Sequence, residues 1–182
     1  MMIYNKSFMM VRVLIVSLVT IVFLSCAEKN SVSKELIGKT IEFSDNLTQI
    51  NTDSVPDSYL NSKKNATVLV ISDHVQCAPC QLQLIRWKRL IEEYGDYIDF
   101  KFIIPVKNKY ELMAHCKQMG FKYPLLVDMK NEYCYSDVYP QDISYRCFIL
   151  DGDNKVIFVG NPLHITKLAD EFEALLRKFE KD

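Results

Sequence analysis

The sequence has no cluster of basic residues: its 22 lysines and arginines are scattered among 23 acidic residues. A chain so balanced lacks the basic stripe that holds a phosphate backbone, so nucleic acid is not an expected partner. It also lacks an apolar run of bilayer length. Val13 to Leu24 is uncharged but spans only 12 residues, whereas a membrane-crossing helix needs about 20. Extending the run back through Met9 and Met10 would bury Arg12 at a cost of about 2.5 to 3.5 kcal/mol. There is no internal repeat and no low-complexity tract. Six cysteines are present, but the five that follow Cys26 are odd in number and the chain is long. A small scaffold stapled by disulfides is therefore excluded as the main organising principle.

The N-terminus does carry a pattern. "MMIYNKSFMMVR" has Lys6 and Arg12 and no acid, and the apolar run follows it, which is the order of a secretory signal. Phe23-Leu24-Ser25-Cys26 then resembles the lipobox of bacterial lipoproteins, although Phe23 stands where leucine is usual. The resemblance implies cleavage after residue 25 and lipidation of Cys26. An ordinary signal peptide with an incidental cysteine is the alternative. Residues 26–35, "CAEKNSVSKE", read as a polar tether, and residues 36–182 as one globular domain of a size that can bury a core.

Within that domain, Ile41 and Phe43 alternate with Glu42, the period of a strand or hairpin. Asn51 to Asn65 is rich in Asn, Ser and Asp and reads as a loop. "ATVLVIS" is a β-branched run suited to a strand buried on both faces. Leu82, Ile85, Trp87, Leu90, Ile91 and Tyr94 then recur at helical spacing up to Gly95. "YIDFKFIIPV" predicts a second strand, "NKYELMAHCKQMGF" a second helix ending at Gly120, and "YPLLVD" a short strand. Two apolar runs joined by "DGDNK" predict a hairpin, and "ITKLADEFEALLRKFE" a closing amphipathic helix bearing Leu168, Phe172, Leu175, Leu176 and Phe179. Strand–helix–strand order implies parallel strands with right-handed crossovers, while the hairpin adds antiparallel ones.

Cys77-Ala78-Pro79-Cys80 falls between the first of these strands and the first helix. Spacing alone is weak evidence, but at a helix N-terminus the unpaired N–H groups and the helix dipole stabilise a thiolate. Such sites lower a cysteine pKa from about 8.5 to between about 3.5 and 7.5. Cys77 is then the nucleophile and Cys80 the thiol that resolves the mixed disulfide. Pro79 is compatible with the first helical turn, where an N–H is dispensable.

Strand, CAPC, long helix, strand, helix, hairpin and helix together resemble the thioredoxin-like pattern. The lipobox, "LIGKTIEF" and "FILDGDNKVIFVGNP" resemble membrane-tethered thiol-disulfide redoxins of the TlpA/ResA type over roughly residues 36 to 180. The resemblance implies an α/β, three-layer sandwich: a mixed central sheet with helices on both faces and an N-terminal strand or hairpin extension. It also implies dithiol-disulfide exchange with envelope proteins, a membrane or periplasmic thiol as electron partner, membrane attachment through the lipid, and a position in the cell envelope facing the periplasm. No cofactor and no metal are expected. The chain departs from the family at three places: Gln76 replaces the usual Trp before the first cysteine, Ile71 occupies the position of the thioredoxins' buried acid, and Tyr145 replaces the cis-proline. Tyr145 and Arg146 are thus the candidates for the loop that meets substrate, with a trans or rearranged backbone expected.

Other readings of the same residues stay open. The Cys77–Cys80 pair could be a static disulfide in a non-enzymatic binding module. His74, Cys77 and Cys80 could hold zinc or copper if Cys147, Cys134 or His164 supplied a fourth ligand. Without a His after Cys80, a haem attachment is excluded. Asp73 or His74 could move protons or merely end the strand. Cys147 is either a third redox thiol or a buried small hydrophobe, and Cys116 and Cys134 read as buried. Trp87 reads as core. Tyr133, Tyr135 and Tyr139 form either a partner surface or the packing of a loop.

Overall fold

A computed structural model describes residues 35–50, 55, 64–72 and 83–180. The chain separates into two compact units, Met1–Leu36 and Ile37–Asp182. Of the first, only Glu35 and Leu36 are described; the sheet and all the helices named here belong to the second. The expected signal peptide, Cys26, the expected 51–65 loop except Val55, Lys64 and Asn65, and the segment 73–82 with Asp73, His74, Gln76 and CAPC lie outside the described residues.

Six strands form one mixed sheet: β1 (Thr48–Ile50), β2 (Ala66–Ile71), β3 (Ile98–Ile104), β4 (Leu125–Val127), β5 (Cys147–Leu150) and β6 (Val156–Val159), in the order β1-β4-β3-β2-β5-β6. β2, β3 and β4 run parallel, and β1, β5 and β6 are antiparallel to their neighbours. The two parallel crossovers contain α1 (Leu84–Tyr94) and α2 (Lys109–Met119), and α3 (Ala169–Leu176) follows the hairpin. All six residues of β2 are buried, as its unbroken apolar run predicts for a central strand.

In α1 the buried positions are Leu84, Trp87, Leu90, Ile91 and Tyr94. Ile85, which the sequence reading assigned to this face, is 52% exposed. The helix phase explains the correction: Leu84 lies three residues before Trp87, and Ile85 falls on the adjoining solvent side. Trp87 is core, its ring meeting the edges of Phe100, Phe102 and Phe172 at 5.9–6.4 Å. α2 starts where the Asn108 side chain accepts from the Tyr110 N–H (3.0 Å) and stops at Gly120, whose φ of 65° a side chain would strain.

All three helices contribute to one apolar cluster together with Phe100, Phe102 and Ile104 of β3, Val68 and Val70 of β2, and Cys147 and Ile149 of β5. Residues of opposite parity, including Leu69, Ile71, Ile103, Phe148 and Leu150, are buried outside that cluster. Over Phe148 lies the ring of Tyr139 (6.0 Å), itself stacked on Tyr133 (5.8 Å).

The N-terminal extension gives one regular strand, β1, further along than the Ile41/Phe43 alternation suggested. The earlier stretch makes a single bridge, Thr40 to Lys155, and hydrogen bonds along β6: Gly38 N–H to the Val156 carbonyl and Val156 N–H to the Lys39 carbonyl, both 2.8 Å. Ile41 is buried and Glu42 exposed, so the alternation reflects burial, while the pairing is too brief for a ladder. The β5–β6 turn is built as "DGDNK" predicts, with the Asp151 carboxylate accepting from Asp153 and Lys155 N–H groups at 3.0 and 2.9 Å.

Candidate functional site

The described chain stops at Ser72, one residue past the C-terminal end of β2, and resumes at Gln83, immediately before α1; CAPC lies between them in the sequence. In open sheets with parallel strands this end is where ligands and reacting groups gather. Its described surroundings are well fixed. Ser72 is buried and donates its N–H to the Ile103 carbonyl (2.9 Å); Ile71, the last residue of β2, donates to the Arg146 carbonyl (2.9 Å). The neighbour across β5 is Cys147, in register with Val70.

Tyr145 ends a single turn of 3-10 helix, Ile143–Tyr145, and Arg146 follows it; the turn is capped by the Asp142 carboxylate, which accepts from Ser144 N–H (3.0 Å). Every peptide bond among the described residues is trans. The turn is held from two sides: its Ser144 carbonyl accepts from Asn161 N–H (2.7 Å), and Arg146 joins β2 as above. Tyr145 is half-buried. Arg146 is only 2% exposed, and its guanidinium points into the protein, donating through Nε to the Pro140 carbonyl and through Nη2 to the Cys134 carbonyl (3.2 Å). Nη1 has no hydrogen-bond partner among the described residues. An arginine so placed braces backbone from within and presents no charged tip to a partner.

The described cysteines have an environment unlike that of a reactive thiol. Cys147 is fully buried, and loss of solvation pushes its pKa far up; Cys116, on α2, is pushed up to about 11 for the same reason. Cys134 is buried as well, while His164 is half-buried just after the Asn161 turn. No group of three or more His, Cys, Asp or Glu suited to a metal ion occurs among the described residues. On the far side of the turn, Asp128 is 2% exposed and its carboxylate accepts from the N–H groups of Glu132 (3.0 Å) and Tyr133 (2.9 Å). Tyr133 Oη accepts from Ser44 N–H (2.8 Å) and donates to the Glu42 carbonyl (3.1 Å). The sequence reading passed over Asp128 and Asn161; a lone Asp after a strand and an Asn in "GNP" are signals of local backbone capping.

No family model and no curated protein matches the chain. Solved structures do. A thioredoxin-like protein in its oxidised form superposes with a TM-score of 0.55 at 10% identity, covering 79% of this chain and 97% of its own. The fold is thioredoxin-like. A proposed thiol-disulfide oxidoreductase from Bacteroides vulgatus gives 0.50 at 23% identity (76% and 91% covered), and a proposed protein disulfide isomerase from Bacteroides thetaiotaomicron 0.52 at 18% (78% and 90%). Within the thioredoxin-like fold, β2 is the strand whose C-terminal end leads into CAPC, and the Ile143–Arg146 turn is the connection beside it.

Proposed function

We propose that this chain is a lipid-anchored thiol-disulfide oxidoreductase facing the periplasm, exchanging dithiol and disulfide with envelope proteins through Cys77 and Cys80. One observation carries the reading: CAPC occupies the connection between the C-terminal end of a central parallel strand and the first helix of a thioredoxin-like sheet. The similarity in fold to a proposed oxidoreductase and a proposed disulfide isomerase agrees with it.

In the reductive direction, the Cys77 thiolate attacks one sulfur of a substrate disulfide, and the other sulfur leaves as a thiolate that takes up a proton. The Cys80 thiolate then attacks Cys77 Sγ, releasing the second substrate thiol and leaving Cys77–Cys80 oxidised. Two electrons pass to the substrate and return from an external thiol. With Cys116 and Cys147 held as buried neutral thiols, neither competes for the mixed disulfide. Cys80→Ala is expected to accumulate mixed disulfides through Cys77, seen on non-reducing gels. No adduct, with Cys77 alkylating no faster than Cys116, would sink the reading.

A binding module with a static Cys77–Cys80 bond is the second reading. It is favoured by Tyr145, which stands with a trans peptide bond on a 3-10 turn where the resemblance implies a cis-proline. A structural bond has a reduction potential below about −300 mV, and a working redoxin one between about −270 and −120 mV.

A further inference from the structure

The residue that opens α1 has a backbone its side chain disfavours. Gln83, the N-cap, has φ 48° and ψ 44°, in the left-handed region. Of the three non-glycine residues with positive φ among those described, Asn131 and Asn154 are asparagines, which tolerate that region; Gln83 is the third. Its side chain makes no capping hydrogen bond to the helix. Instead Gln83 Oε1 accepts from Arg86 Nη1 (2.5 Å), and the same nitrogen donates to the Leu163 carbonyl (3.3 Å). Leu163 belongs to a fixed turn: its N–H donates to Asn161 Oδ1 (3.0 Å), and the buried Asn161 donates its own N–H to the Ser144 carbonyl (2.7 Å). The first turn of α1 carries no acid, and the Arg86 charge opposes the helix dipole there. Helix stability alone does not account for an arginine in this place.

A left-handed residue interrupts a right-handed helix. Cys80 lies three residues before Gln83 in the sequence, so while Gln83 keeps this conformation no helix runs unbroken from the motif into α1. We infer that Gln83 and Arg86 form a latch that stops α1 at Leu84, and that releasing the latch lets α1 lengthen towards CAPC. The inference rests on the oxidoreductase reading and gives its dithiol a conformational control. The left-handed conformation at Gln83 and the hydrogen bonds of an exposed guanidinium are each worth about a factor of ten in an equilibrium constant, and they act in opposite directions. The latched state is therefore favoured only modestly. Pro79 sets how far the helix can lengthen, because a proline kinks or breaks a helix beyond its first turn. In the lengthened helix Pro79 lies in the first turn and Cys77 at its N-terminal end, where unpaired N–H groups and the dipole stabilise a thiolate. Arg86 is then well inside the helix, away from the end that its charge opposes.

Iodoacetamide alkylation of Cys77 in the full reduced protein at pH 6.5, located by peptide mapping, provides the test, since its rate follows the thiolate fraction. With a preference of about ten to one for the latched state, loss of the latch makes the two states about equal, and the lengthened fraction rises from about a tenth to about a half. Arg86→Ala is thus expected to alkylate about fivefold faster than wild type. A purely electrostatic role has the opposite sign, because loss of a positive charge disfavours a thiolate. Gln83→Gly, in which the left-handed conformation is unstrained, should be no faster than wild type, and Gln83→Gly/Arg86→Ala should lose most of the fivefold gain. Amide exchange gives a second readout inside α1. In a helix that starts at Leu84, the Leu84 and Ile85 N–H groups have no acceptor within the helix, whereas in the lengthened helix they do. Both should exchange more slowly in Arg86→Ala than in Gln83→Gly. An unchanged or slower Cys77 in Arg86→Ala, the full gain retained in the double variant, or equal amide exchange in the two single variants overturns the inference. A wild-type Cys77 that alkylates no faster than Cys116 removes the oxidoreductase reading instead.

Discussion

At the scale of single residues, burial separates the cysteines. Cys116 and Cys147 are surrounded by apolar side chains, and a thiolate there would be desolvated, so both pKa values lie above the ordinary range. In iodoacetamide labelling at pH 8 of the folded protein, neither should react within the time expected of Cys77, the proposed nucleophile, and both should label after denaturation. The same shift has a sign for stability. An unfolded cysteine ionises near pH 8.5, whereas Cys116 holds its proton to about 11. Stability is therefore full below about pH 8.5 and declines as pH rises towards 11, the buried tyrosines Tyr133 and Tyr139 acting in the same direction. A melting series from pH 8 to 11 should show the fall, reduced in Cys116→Ala once its own lower baseline is subtracted.

Arg146 is the residue whose role differs most from its sequence position. The resemblance marked it as a substrate contact, yet its side chain serves the Cys134 and Pro140 carbonyls. Nothing in "SYRCF" announces this, because the acceptors are 6 and 12 residues away. Arg146→Met removes both donors, each lost pairing costing roughly 1 to 3 kcal/mol, and relieves a buried charge. A net loss of about 2 kcal/mol in urea unfolding is the expected outcome; no change would mean that water replaces the guanidinium.

At the scale of elements, strands and helices were legible where periodicity decides burial. β2, β3, the hairpin and α1 to α3 all lie within the runs that predict them. The segment from Asp128 to Arg146 was not, since its order comes from one carboxylate, one guanidinium and stacked rings linking distant positions. Nor could the sequence reveal that the 38–41 stretch runs along β6 without building a ladder. Gly160 belongs to this scale too. Its φ is 138°, and a Cβ there would collide with Leu168 Cδ1 at the entry to α3. Gly160→Ala should destabilise by roughly 1 to 3 kcal/mol, the cost of a side chain in a sparsely populated backbone region. Denaturant unfolding measures it, and an unchanged midpoint would show that the 160–168 connection relaxes freely.

At the scale of the whole molecule, the order of elements made the thioredoxin-like fold readable from 182 residues, and the candidate site was legible only as the motif between β2 and α1. Its partners were not, because they depend on surfaces assembled from several elements. No helix among the described residues is long and apolar enough to cross a membrane. Attachment is proposed to rest on Cys26: Cys26→Ser should move the protein from the membrane to the soluble periplasmic fraction, and retention in the membrane would show that residues 9–24 stay as an anchor.

The brief pairing of Gly38, Lys39 and Ile41 with Val156 and the Asn154 carbonyl also bears on self-association. An outermost strand offers unpaired amides on which another chain can template, and short coverings of this kind blunt it. The extension before β1 is thus a guard against edge-to-edge aggregation. Shortening the chain past Ile41 would leave Cys77 and Cys80 in place and uncover the outer edge of β6.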